Sequence, residues 1–346
     1  MNPDSANGLS GLSSRSKSTA RRIAAAAGAL FLFTTLAPAF AQTPTLILMR
    51  AMPAKTKRGD TFTELPPITK ADIAEVKIGG KVADVTDVQP LLRGPHGFQL
   101  VILLDSMEQI GINDQFDDIK KFMADVLSAK NTEIAVGYLL QSHARIVQPF
   151  TTDKDLLGKA LVKPTPEEAA SPKNDNGNPY SCLRDLAANW PTPDPNKLRG
   201  VLMITDGIER NNAQAGAGDQ LNPDVAGTSE ALQHAGIQPY PFYYLDPIPP
   251  QDRSEGGGPL EGMELFSELD AGTGGVGLYA GMFAPGSFFP LLNKLYSALD
   301  AERVVTVNAP GAAGKEQRLD IKSSRDDIKI FAPDQVLIGN VLKSKK

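Results

Sequence analysis

Two unbroken apolar runs, each ending in an aspartate, constrain this chain most. Gln99–Leu104 runs into Asp105, and Gly200–Thr205 runs into Asp206-Gly207. Strands without polar alternation suit a sheet covered on both faces, which in practice means a parallel sheet with helices on each side. The surrounding pattern agrees. Phe116, Ile119, Phe122, Met123, Val126 and Leu127 recur at helical spacing, with Asp114 placed to cap that helix. Strands at Thr132–Leu140 and Ala144–Phe150 follow, then helices at Asp153–Leu161 and Ser181–Trp190. After the second apolar strand come a helix at Asp224–His234, closed by Gly236, and a strand at Ile237–Leu245. A helix at Leu260–Asp270, a short strand at Val276–Tyr279 and a helix at Ser287–Ala301 complete the series. This alternation predicts an α/β fold with a doubly wound, mostly parallel sheet over residues 98–301.

The flanks read differently. Residues 42–97 are β-rich. They hold a strand at Thr45–Arg50, a polar connection at Lys55–Pro67, a capping box at Thr69-Lys70-Ala71-Asp72 and a hairpin turn at Gly79-Gly80 between Glu75–Ile78 and Lys81–Val88. Residues 302–346 give four short strands, at Arg303–Val307, Gln317–Ile321, Ile328–Phe331 and Gln335–Val341. Four short strands alone expose their edges, so the two flanks are expected to form one accessory β module. Residues 1–41 read as a signal peptide. Arg15, Lys17, Arg21 and Arg22 precede an apolar run from Ile23 to Leu36, and Ala39-Phe40-Ala41 supplies a small-x-small cleavage site. The run is too short for a stable membrane anchor once the signal is cleaved, so a secreted or periplasmic location is expected.

Composition excludes several functions. The net charge of -5 comes without a basic run, which argues against a nucleic-acid partner. The three histidines, His96, His143 and His234, have no mutual ligand spacing, which argues against a zinc enzyme. Cys182 is the only cysteine, so no internal disulfide exists, and a small buried side chain is expected there. Tyr240, Phe242, Tyr243 and Tyr244 form an aromatic strand expected to pack in the core. No nucleophile elbow, Walker loop or dinucleotide fingerprint occurs.

Ligands of open parallel sheets bind at the C-terminal strand ends, near the switch in strand order. If the two apolar strands are neighbours, Asp105 and Asp206 converge there, and paired carboxylates suit Mg²⁺ or Ca²⁺. In these positions Leu100–Met107 resembles the first metal-motif strand of von Willebrand factor A domains, and Val201–Gly207 resembles their later Asp-Gly strand. Gln115–Phe122, Ala135–Tyr138, Pro179–Leu186 and Ala271–Gly275 follow in the family's order. The set resembles exported bacterial proteins described as VWFA-related, from about Thr69 to the C-terminus. The resemblance implies binding without catalysis, through a crevice of Asp105, Ser106, Glu108, Gln109, Ser181 and Asp206, to a protein partner that the sequence does not identify. The family's adhesion motif is Asp-x-Ser-x-Ser with a distant threonine and aspartate. Here Asp105 and Asp206 match the aspartates and Ser181 the threonine, while Met107 and Gln109 stand at the serine positions. A register one residue earlier gains Ser106 and Glu108 but puts Leu104 at the aspartate. Either way the motif is degenerate, which implies no cofactor, or a weakly held Mg²⁺ or Ca²⁺ on Asp105, Ser181 and Asp206. Two rival readings remain at this stage: a structural envelope scaffold with a vestigial crevice, and a hydrolase using the two aspartates.

Overall fold

The computed structural model describes residues 42–55, 66–105, 112–140, 142–162, 178–192, 194, 197–207, 223–245, 259–280 and 285–339. The expected signal peptide lies outside them, as does most of the polar connection at Lys55–Pro67. Among the described residues no helix is long and apolar enough to cross a membrane.

The expected doubly wound, mostly parallel sheet is present. Its strands are β5 (Gly97–Asp105), β6 (Thr132–Leu140), β7 (His143–Thr151), β8 (Lys197–Thr205), β9 (Ile237–Tyr243) and β10 (Leu278–Tyr279). Their order is β10-β9-β8-β5-β6-β7, with only β7 antiparallel to its neighbour. Every residue of β5 is buried. Each large aliphatic side chain placed there contributes roughly 1.5–3 kcal/mol of transfer free energy, so this strand anchors the domain. Helices α1 (Phe116–Val126), α2 (Lys154–Ala160), α3 (Pro179–Ala188), α4 (Pro223–Ala235), α5 (Pro259–Thr273) and α6 (Phe289–Ala301) cover the sheet. One apolar cluster joins Leu100, Ile102 and Leu104 to Ile119, Phe122, Leu292 and Leu295. A second joins Val101, Leu103, Val201 and Met203 to Leu183, Leu186, Phe266 and Leu269 on the other face. The alternation of β5 side chains between the two clusters is the strand's two-residue period. Tyr240, Phe242, Tyr243 and Tyr244 are all buried, as expected of core aromatics.

The flanking segments form one β module. Strand β1 (Gln42–Pro53) pairs with β11 (Arg303–Pro310) and β13 (Ile328–Phe331), and β4 (Asp84–Pro90) borders β11. A second sheet runs β14 (Gln335–Leu337), β12 (Glu316–Ser323), β2 (Ile73–Ile78), β3 (Lys81–Val82). The two sheets share a core of Ile47, Met49, Val76, Ile78, Val305, Val307, Leu319 and Ile330. The Thr69–Asp72 capping box and the Gly79-Gly80 turn form as expected, both glycines having positive φ. Two local expectations need correction. The segment expected as one strand over Lys81–Val88 breaks at Ala83, because β3 pairs with β2 while β4 crosses to β11. Asp114 does not cap α1: the N-cap residue is Gln115, which makes no side-chain cap bond and donates no such role to Asp114. Instead the Gln115 Oε1 accepts the Phe288 backbone N–H at 2.9 Å, which ties α1 to the start of α6.

A polar cluster lies where the β module meets the α/β domain. Arg50 on β1 donates to the Gly275 carbonyl at 2.6 Å and stacks 4.8 Å over the Phe331 ring. Its charge is opposed by Glu302 and Asp270. Tyr240 Oη donates to Glu302 Oε2 at 2.9 Å, and Tyr279 Oη to Asp270 Oδ2 at 3.3 Å. Arg50 Nη1 and Asp270 Oδ1 are out of reach of solvent and have no hydrogen-bond partner. Burial pushes Asp270 up to about 7 and Glu302 up to about 7, against the pull of Arg50 and of the tyrosine hydroxyls. One guanidinium thus serves two carboxyls in a dry setting, where two full negative charges cost more than one cation returns. A carboxyl whose folded pKa lies above its unfolded value binds more protons folded than unfolded. Its stabilising contribution is full below about pH 4 and is lost as pH rises towards about 7. Asp270→Asn removes one such group. The variant should therefore lose less stability than the parent between pH 5 and pH 8, by roughly 1–3 kcal/mol, measured by urea unfolding at both values.

Candidate functional site

The parallel register of β5 and β8 places Leu104 opposite Ile204, so the strands end side by side with Asp105 and Asp206 at adjacent tips. Strand order reverses at this pair: β6 and β7 lie to one side of β5, and β9 and β10 beyond β8. The two aspartates therefore occupy the rim where doubly wound sheets leave a crevice. Both are almost wholly buried, at 3% and 1% exposure. Asp105 Oδ2 accepts the Thr205 hydroxyl at 2.5 Å, a short charge-assisted bond. Gly207 takes a positive φ of 68°, which explains the Asp-Gly pair as the exit from β8.

The first turn of α3 closes the rim. Asn178 caps the helix by accepting the Ser181 N–H, and Pro179 occupies the first turn. Tyr180, buried, donates its hydroxyl to the Gly207 carbonyl at 2.9 Å, which fastens α3 to the exit of β8. Thr228 on α4 donates to the Tyr180 carbonyl at 3.2 Å. The hairpin between β6 and β7 joins the same edge: Ser142 Oγ accepts from the Asn178 N–H, and Asp185 accepts from the Ala144 N–H. Cys182 is buried, and burial, then the charges of Asp105 and Asp185, push its thiol pKa well up. It is thus a packing residue, as expected.

The structure thus brings together Asp105, Asp206 and the helix turn carrying Ser181. Ser106, Glu108 and Gln109 lie outside the described residues. Ser181 Oγ accepts from Arg184 Nη2 at 2.8 Å, and Arg184 Nη1 reaches Thr228 Oγ1 at 3.3 Å. A cation bound through Ser181 would sit beside a guanidinium that already uses that hydroxyl. Asp105 is likewise engaged by Thr205. With Ser181 and Asp105 so engaged, the described donors do not fit a tightly held octahedral cation. Thr205, Tyr180, Arg184 and Thr228 are the rim residues that sequence reasoning did not single out. The first three sit inside the strand and helix motifs quoted above, but nothing local marks their partners.

Helix α5 seals the side of β8. A Cβ on Gly262 would overlap the Asp206 carbonyl oxygen, and one on Gly207 would press on Phe266 at 3.0 Å. Gly262→Ala gains about 1 kcal/mol of helix propensity. The clash is with backbone that cannot rotate away, and overpacking of that kind costs about 1–3 kcal/mol. The variant should lose net stability in urea unfolding, and Thr205→Val should lose about 1–3 kcal/mol by leaving a buried carboxylate one donor short.

No protein-family profile matches the chain, and no curated protein matches its sequence. Solved structures that it resembles include proximal thread matrix protein 1 from the mussel byssus, at 13% identity over 62% of this chain and 49% of that one, with a TM-score of 0.39. The aligned part spans about half the length of that protein. They also include the PilB minor pilin from Streptococcus sanguinis, at 13% identity over 60% and 61%, TM-score 0.40. A von Willebrand factor type A protein from Catenulispora acidiphila matches at 11% identity over 86% and 75%, TM-score 0.39. By its own strand order and connections, the α/β domain is doubly wound, mostly parallel, with one antiparallel edge strand.

Proposed function

We propose that this chain is an exported protein-binding module without catalytic activity, and that its partner docks on the rim formed by Asp105, Asp206 and the start of α3. The observation that carries the proposal is the pair of aspartates at adjacent strand tips, at the reversal of strand order. Such a rim is where an open sheet presents ligands, and the contacts around it support the binding reading. Asp105 is held by Thr205, Cys182 is buried with a raised thiol pKa, and the hydroxyl of Ser181 is occupied by Arg184.

The internal engagement of Asp105 and Ser181 also bears on the cation. It favours docking that does not pass through Mg²⁺ or Ca²⁺. A second reading, an envelope scaffold with a vestigial crevice, draws on the same contacts.

Capture from the native envelope separates the two. The full chain should retain a specific partner in buffer containing chelator. Ser181→Ala and Asp206→Asn should each release it while circular dichroism shows the fold intact. Retention by both folded variants would leave the rim without a role and favour the scaffold. Loss of the partner in chelator alone would restore a cation to the site.

A further inference from the structure

Away from the rim, three ligand side chains from two separate parts of the sequence converge at the boundary between the two modules. Glu230 and His234 stand four residues apart near the C-terminal end of α4, so both project from one helix face. Glu316 opens β12 in the β module. One ligand atom from each of the three lies within 4.8 Å of the others. His234 Nε2 is 3.5 Å from Glu316 Oε2. Glu316 Oε1 is shielded from solvent and has no hydrogen-bond partner. Such an atom costs free energy unless something else satisfies it.

We infer that Glu230, His234 and Glu316 form a binding site for a zinc-class divalent cation, linking α4 to the β module. The donor set decides the metal. Imidazole with two carboxylates suits Zn²⁺ and its first-row neighbours, whereas Mg²⁺ and Ca²⁺ prefer an all-oxygen shell. Two carboxylates over-compensate a single imidazole, so the site is negative before the metal arrives. His234 lies in the last turn of α4, where the helix dipole also favours positive charge. Three protein ligands leave a fourth position to water or to a group from another molecule.

The frame around the site is fixed. Gly236, at φ 64°, ends α4 immediately after the ligand pair. Gln233 Nε2 donates to the Gly272 carbonyl at 2.6 Å, and the Asp334 N–H reaches that carbonyl too. Both the helix end and the chain leading into β14 are thereby held to one point. Glu316 is held by the pairing of β12 with β14, where it faces Leu337. Only side-chain torsions then need adjust to bring the three ligands onto one ion.

The test is a titration of the full chain, purified without a polyhistidine tag, with Co²⁺ and then Zn²⁺. One Co²⁺ per chain should give the visible ligand-field absorption of a four-coordinate site, and Zn²⁺ should abolish it. His234→Ala should remove that absorption. Glu230→Gln and Glu316→Gln should each weaken Co²⁺ binding by more than about tenfold, the scale seen even for outer-shell losses. Asp206→Asn and His143→Ala should leave it unchanged, which keeps this site separate from the rim and from the docking proposed there. Absence of the absorption, its survival in His234→Ala, or its loss in Asp206→Asn would each overturn the assignment.

Discussion

Everything at the rim follows from how β5 is paired. It is flanked by parallel strands on both sides, β8 and β6, and contacts with those neighbours together with two apolar clusters leave none of its nine residues exposed. A one-residue slip of β8 against β5 would exchange the clusters that Val201 and Leu202 serve and would separate the two strand tips. The register of Leu104 with Ile204 is thus fixed by packing, and the position of the aspartates is a by-product of burying the strands correctly. This is why a carboxylate can be kept there at almost no exposure. The cost of desolvating it is met by a strand that has no other place to go, and by the hydroxyl of Thr205, which the same register delivers.

The β module is attached by a different kind of contact. Its own core is small and aliphatic, while the boundary carries Arg50, Asp270, Glu302 and two tyrosine hydroxyls. Breaking one partner of such a cluster is costly because it strands a buried charge, whereas the intact cluster adds little over a well-packed apolar substitute. The cluster therefore acts as a specificity device: only one seating of β1 against the α/β domain brings the guanidinium to the Gly275 carbonyl and between the two acids. The module is also discontinuous, since β1 pairs with β11 more than 250 residues later in the chain. Its strands are complete only when both ends of the chain have been made.

The extent to which the fold was legible tracks the range of the interactions that specify it. The buried strands, the helical repeats, the Gly79-Gly80 turn and the Thr69–Asp72 box are local patterns, and each appears in the structure where the pattern puts it. The pairing of the two chain ends could be expected from their unprotected edges, but which strand meets which could not. Nothing within Lys81–Pro90 announces that the chain changes sheets at Ala83, because the reason lies in β11. Asp114 looked like the cap of α1 on helix-start chemistry alone, yet Gln115 holds that place and spends its side chain on Phe288. At the candidate site, both aspartates were legible because strand ends before loops are local features. Thr205, Arg184 and Thr228 were not, because their value lies in which residue they touch.

Those last contacts bear on how the rim keeps its shape. A divalent cation in such a crevice does two things: it neutralises the carboxylates and it holds the helix turn against the strand tips. Here both tasks have protein substitutes. Thr205 donates to Asp105, the Tyr180 hydroxyl fastens α3 to Gly207, and Arg184 supplies positive charge to Ser181 and Thr228. Each of these is a fixed, directional bond, so the arrangement is preorganised without the geometric demands of an octahedral shell. The rim is therefore ordered by the protein's own donors and acceptors.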